Sequence, residues 1–120
     1  LTVQPWEKGM LDPISKAIID SNLGLNPQNN GDVIIISIPA LTEERRRDLS
    51  KQAKAVGEDA KVGIRSARKS ANDGIKALKD DGLPEDVQKT AEIKVQDLTN
   101  NFVTRVDTII SAKEKDIMTV

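Results

Sequence analysis

The chain has 120 residues, 38% hydrophobic and 31% charged, which sets one domain or two small ones of helix-leaning composition. A net charge of −1 excludes attraction of nucleic acid by overall charge, so any cationic surface must arise by local segregation. With no Cys and no His, disulfides, thiolate zinc sites, Cys nucleophiles and His acid–base chemistry are excluded; with Trp6 and Phe102 the only aromatics, any core is aliphatic.

Leu1–Gln4 alternates apolar and polar and stops at Pro5, as the end of a strand does. The chain opens in mid-strand with no initiator Met, so a fragment or processed chain is expected. Trp6 is assigned to packing in the small N-terminal part, in preference to an exposed role in partner contact. Glu7–Gly9 is a turn. Asp12 and Pro13 signal a helix start, with Asp12 as N-cap and Pro13 at the first helical position. Ile14, Ala17 and Ile18 form its apolar stripe, and Leu23–Gly24 its exit.

Leu25–Asp32 reads as a loop with a turn at Asn30–Gly31. Val33–Ile38 (VIIISI) is β-branched and nearly continuous, so it predicts a buried strand that Pro39 ends. Residues 1–40 thus form strand, short helix, strand, too little sheet to stand alone.

Thr42–Asp80 predicts one helix about 58 Å long. Thr42 caps it, and Glu43 and Glu44 complement the helix dipole. At 100° per residue the helix has three faces. Leu49, Ala53, Val56, Ala60, Ile64, Ala67, Ala71, Ile75 and Leu78 form an apolar face. Arg47, Lys51, Lys54, Lys61, Arg65, Arg68, Lys76 and Lys79 form a cationic one. Asp48, Asp59, Asp73 and Asp80 form an acidic one. Gly63 and Gly74 border the apolar face, where close approach of a neighbouring helix accounts for them.

Asp81–Leu83 is a turn, and Pro84 opens a second helix running to Met118, with Glu85 and Asp86 in its first turn. Val87, Ala91, Val95, Leu98, Phe102, Val106, Ile109 and Val120 form its apolar face, which Val103, Ile110 and Ile117 widen. The short connection makes the two helices antiparallel. Small residues on the first face larger ones on the second, and the widened face calls for a third helix. The fold class is α+β, mainly α: a small β/α/β part over 1–40 and a long helical hairpin over 41–120.

Several segments, in order, resemble the ribosome recycling factors: LNPQNNGDVIIISIPALTEERRRDLSKQAK, then GEDAKVGIRSARKSANDGIKALKDDGLPEDVQK, then VQDLTNNFVTRVDTIISAKEKDIM. PALTEERR followed by IRSARKSANDGIK is the specific part, and the likeness covers essentially the whole chain. The resemblance implies a three-helix-bundle domain and a small β/α/β sandwich domain. It implies a bacterial, cytoplasmic protein that binds ribosomal RNA of the large subunit after termination. With elongation factor G it would split the ribosome from mRNA and tRNA; it would not itself be an enzyme and would need no cofactor or metal. Relative to the family pattern, the first bundle helix and the first strands of the small domain are absent from this sequence. A two-helix hairpin would expose a long apolar face, so self-association is expected, each hairpin completing another's bundle.

The resemblance carries the RNA-binding role onto Arg65, Arg68 and Lys69 of KVGIRSARKSAND, with Lys61 one turn earlier and Arg46 of LTEERR as a further candidate. The spacing agrees: Lys61 to Arg65 and Arg65 to Arg68 share one side of a helix. Guanidinium groups contact phosphates through paired N–H bonds, and a rigid helix reads RNA by shape and backbone. Asn72 beside Arg68 is a candidate supporting contact.

A cationic stripe on a long helix is by pattern alone more often a solvated face laced with i,i+4 ion pairs. Two details favour RNA: only Glu58 intrudes on the stripe, and the family's RNA-contacting arginines fall on it. The paired acids Glu43/Glu44 and Glu85/Asp86 sit at helix starts and are caps rather than catalytic or metal-binding groups. The glycines form no phosphate loop, and the serines have no His to act as base. The competing function is a helical adaptor that binds another protein through its apolar face. No apolar run approaches the roughly 18 residues that span a bilayer, so no membrane partner is expected.

Overall fold

The computed structural model describes residues 1–120, which form two compact units, Leu1–Leu41 and Thr42–Val120. In the first unit, strand β1 (Thr2–Val3) is followed by a 3-10 turn (Lys8–Met10) and helix α1 (Leu11–Asp20), then β2 (Asn26–Asn29) and β3 (Ile34–Ser37). The sheet is antiparallel with order β1-β3-β2. Thr2 pairs with Ile35 and Val3 with Ile34 on one side; on the other, Pro27 pairs with Ile36 and Asn29 with Ile34.

Side chains alternate across a strand, and β3 shows it. Ile34 and Ile36 are buried with Leu11 of α1 into a small core, flanked by Val3, Ile14, Ile18 and Leu25. Ile35 and Ile38 are exposed. The expected buried strand is therefore buried on one face only.

Three expectations for this unit need correction. The Leu25–Asp32 segment contains strand β2. Its NPQN sequence lacks β-branched residues, but it is an edge strand held by backbone pairing to β3, where Pro is tolerated. The Asn30–Gly31 turn is present. Gly31 takes φ +92°, and the Asn30 Oδ1 accepts from the amides of Asp32 and Val33 at 3.1 and 2.9 Å. Helix α1 starts at Leu11, directly after the 3-10 turn, so Pro13 is its third residue. Pro13 still costs no hydrogen bond, because first-turn amides have no helical acceptor. Asp12 does not cap the helix; its Oδ1 accepts from Asn29 Nδ2 at 3.2 Å, tying α1 to β2. Trp6 is fully exposed, not packed, since the aliphatic residues already fill the core.

The second unit is a helical hairpin of α2 (Glu43–Asp80) and α3 (Glu85–Met118). Thr42 caps α2, its Oγ1 accepting from Arg45 N at 3.1 Å. At the other end Gly82 takes φ +103°; its amide donates to Lys79 O at 3.0 Å, and that of Leu83 donates to Leu78 O at 2.9 Å. This is a Schellman stop, which satisfies terminal carbonyls and reverses the chain.

A ladder of contacts sets the antiparallel register: Arg46 to Ile117, Ser50 to Glu114, Gly57 to Ile110, Lys61 to Asp107 and Arg68 to Gln96. The packed seam is thus rotated from the expected apolar face. It runs along α2 through Ser50, Ala53, Gly57, Ile64 and Asn72, and along α3 through Val95, Thr99, Val106 and Ile110. Buried Thr99 is satisfied by its own helix, donating to Val95 O at 2.7 Å. Val56, Leu78, Leu98, Phe102 and Ile109 remain exposed. Close helix approach occurs at Gly57; around Gly63 and Gly74 there is open space, contrary to expectation.

Candidate nucleic-acid interface

Some cationic residues of α2 are met by groups from α3 and others are not; Arg47 pairs instead with Glu43 of its own helix, and Lys51 has no ion pair. Towards the N-terminal half, carboxylates and carbonyls from α3 engage the stripe. Arg46 is half-buried and donates through Nη1 to Ile117 O at 2.6 Å and Thr119 O at 2.8 Å. It thereby satisfies the last carbonyls of α3, where a cation is favoured by the helix dipole. Lys54 pairs with Glu114 at 3.0 Å, and Ser50 Oγ donates to the same carboxylate at 3.1 Å. Lys61 is mostly covered and ion-pairs with Asp107 of α3 and, at 3.2 Å, with Glu58 of its own helix.

The titration behaviour follows from these contacts. The hydrogen bond to Asp107, then that to Glu58, raises the Lys61 pKa. The hydrogen bond from Lys54 lowers that of Glu114, with Ser50 adding to it against the opposing effect of burial.

From Arg65 onward the pattern changes. Arg65 and Lys69 lie four residues apart on one exposed face and make no ion pair. Lys76 and Lys79 likewise have no carboxylate partner. Arg68 is half-buried at the seam and meets only a neutral group, donating through Nη1 to Gln96 Oε1 at 3.4 Å. Arg65, Arg68, Lys69, Asn72 and Gln96, with one carboxylate, Asp73, are among the residues lining an open cleft of about 580 Å³ along this side of the hairpin. Salt bridges do not neutralise these cations, so they remain available to an external anion.

The structure therefore brings Arg65, Arg68 and Lys69 together on one cleft, and places Lys61 and Arg46 in contacts between the helices. The sequence pattern missed the α3 residues that make the division: Asp107, Glu114 and Gln96. Their partners lie 28 to 64 residues away for the hydrogen-bonded pairs Arg68–Gln96 and Ser50–Glu114, beyond any helical-spacing rule. No group of three or more acidic side chains gathers to hold a metal ion, and no helix is long and apolar enough to cross a membrane.

A second surface lies on the hairpin. Ile64, Ala67, Ala71, Val95, Leu98 and Phe102 line an almost wholly apolar groove of about 250 Å³. It is the remainder of the apolar faces that the rotated seam leaves uncovered.

Comparison with known proteins gives one family. The model of the family described as ribosome recycling factor matches residues 1–118. A ribosome-recycling factor of Flavobacterium johnsoniae is 58% identical over 120 residues, and one of Bacteroides thetaiotaomicron 52%. Each match takes in 100% of this chain and 64% of the relative, so the chain spans just under two thirds of their length. Among solved structures, a solution structure of the ribosome recycling factor superposes with a TM-score of 0.64 at 38% identity. It covers 99% of this chain and 63% of that one.

Proposed function

The chain belongs to the ribosome recycling factor family, and from that membership we propose that the Arg65–Lys69 face of its hairpin docks on RNA of the large ribosomal subunit. In this reading the protein acts after translation termination in the bacterial cytoplasm, and with elongation factor G promotes splitting of the post-termination complex. Its part is non-enzymatic, because nucleotide hydrolysis belongs to the GTPase partner.

The observation that carries the reading is the contrast along α2. Lys54 and Lys61, opposite Glu114 and Asp107, are neutralised; Arg65, Lys69, Lys76 and Lys79 are not, nor is Lys51 nearer the N-terminus, but only Arg65, Arg68 and Lys69 share one cleft. In the proposed contact Arg65 and Lys69 meet phosphates from the exposed face, and Arg68 meets them from the cleft wall. Lys61 and Arg46 take a supporting role, holding the hairpin in register beneath that face. A binding series of the chain on large subunits at rising salt tests this. Displaced counterions make RNA affinity fall steeply with salt, whereas a contact through the apolar groove would be nearly indifferent. A flat salt profile would exclude the RNA reading.

The apolar groove supports a second, separate proposal: that the 120-residue chain associates with copies of itself through Ile64, Leu98 and Phe102. Leu98 and Phe102 are about half exposed in this chain, and burying such side chains against a partner is favourable.

A further inference from the structure

Lys54, Lys61 and Arg68 recur at every seventh position of α2, so they stand nearly on one line of the helix. Each meets a side chain of α3. Lys54 meets Glu114, Lys61 meets Asp107, and Arg68 meets Gln96. The first two rungs of this ladder are acidic and the third is an amide.

That difference matters for the charge of the cation. A carboxylate and an amide oxygen both accept a hydrogen bond, but only the carboxylate cancels a positive charge. Arg68 is half-buried and lines both the apolar groove, with Ile64 and Phe102, and the open cleft, with Arg65 and Lys69. Gln96 Oε1 accepts from its Nη1 at 3.4 Å, and no carboxylate pairs with it. A guanidinium carries five N–H donors, so most of them remain for a phosphate entering the cleft. The Gln96 amide is itself held. Its Nε2 donates to Asn100 Oδ1 at 2.9 Å, one turn along α3. A reversed amide would aim its N–H groups at the guanidinium and lose both contacts. Orienting a long side chain before RNA arrives lowers the ordering cost of binding.

We propose that Gln96 is a positioning residue for RNA binding, which orients the Arg68 guanidinium at the cleft without neutralising it. Through the choice of acid or amide opposite each rung, α3 sets which of these three cations is offered to phosphate. The proposal rests on the RNA reading above and adds a residue of the other helix to it.

The test is affinity for isolated large subunits across a salt series, with helicity and Tm followed for every variant. Glu and Gln are close in size and helix propensity, and position 96 is exposed, so Gln96→Glu keeps the fold. It is expected to weaken binding about tenfold at low salt and to flatten the log–log slope by about 0.7–0.9, as loss of one phosphate contact does. In an Arg68→Ala background the same change is expected to alter affinity less than about twofold, because the cation it would neutralise is gone. Gln96→Leu removes the acceptor and keeps the charge; it is expected to weaken binding about threefold with the slope unchanged. A merely structural amide would move Tm and leave the salt slope alone.

Equal losses from Gln96→Glu with and without Arg68 would mark general repulsion by an added charge and overturn the proposal. So would wild-type affinity in Gln96→Glu or Gln96→Leu while Arg68→Ala binds weakly, and the RNA reading would then stand. Wild-type affinity in both Arg68→Ala and the Arg65→Ala, Lys69→Ala double variant would overturn the RNA reading and the proposal together.

Discussion

Gly57 in α2 sits directly against Ile110 in α3: a Cβ built on Gly57 would stand 2.8 Å from Ile110 Cγ1 and 3.2 Å from its Cδ1. Ile is stiff at χ1 in a helix, so the side chain cannot easily turn away. Gly57→Ala is therefore expected to destabilise the hairpin by about 1 kcal/mol net, the cost of overpacking exceeding the gain in helix propensity. Gly63→Ala and Gly74→Ala meet open space and are expected to stabilise by up to about 1 kcal/mol. Urea unfolding followed by circular dichroism measures all three. Pairing Gly57→Ala with Ile110→Ala is expected to recover part of the Gly57 loss, and strict additivity would show that the two residues do not interact.

Glu114 supplies a pH dependence with a definite sign. Its folded pKa lies below the ordinary 4.5 because Lys54 and Ser50 hydrogen-bond to the carboxylate. Its contribution is thus present above 4.5 and is lost as the pH falls through the lower folded value. Glu114→Gln is expected to lower Tm at about pH 7, and the gap from wild type is expected to close in acid. A gap that stays constant through the acid range would rule out ionic stabilisation at this site. Lys61 acts at the other end of the scale. Its raised pKa contributes below the ordinary 10.5 and fades as the pH rises through the raised value.

The turn between the long helices depends on Gly82 at φ +103°. Any side chain there is strained, although the space around it is open. Gly82→Ala is expected to cost roughly 1–2 kcal/mol, the penalty for an L-residue at positive φ. Calorimetry that finds Gly82→Ala as stable as wild type would mean the turn relaxes to another form.

Much of this architecture is legible in the sequence because it is written locally. Thr42 with Glu43 and Glu44 marks the start of α2, and Asp81–Pro84 marks the reversal, so the antiparallel hairpin follows. Asn30–Gly31 marks the turn before β3. Residues whose role depends on distant partners are not legible in that way. Strand β2 exists through backbone pairing with β3, to which its NPQN composition offers no clue. The seam follows Ser50 and Gly57 rather than the most apolar line, because Gly57 admits the partner helix and Ser50 finds a partner across it in Glu114. The division of the cationic stripe is set by Asp107 and Glu114 on another helix. Helical spacing within α2 therefore lists the cations but cannot say which of them are neutralised.

Self-association through the apolar groove is checked by light scattering at micromolar concentration. Wild-type chain is expected to give a mass above that of one copy, and Leu98→Gln with Phe102→Gln is expected to bring it down to a single copy. A monomeric wild-type mass would contradict the proposed contact.

The central claim concerns which α2 cations meet ribosomal RNA. The direct measurement is affinity for isolated large subunits across a salt series, for wild type, for Arg65→Ala with Lys69→Ala, and for Lys54→Ala, with helicity monitored throughout. The double substitution is expected to weaken binding at least about tenfold and to flatten the log–log salt slope by about 0.7–0.9 per lost phosphate contact. Lys54, already paired with Glu114, is expected to leave that slope unchanged. Unaltered affinity and slope in the Arg65/Lys69 variant, with helicity intact, would contradict the account.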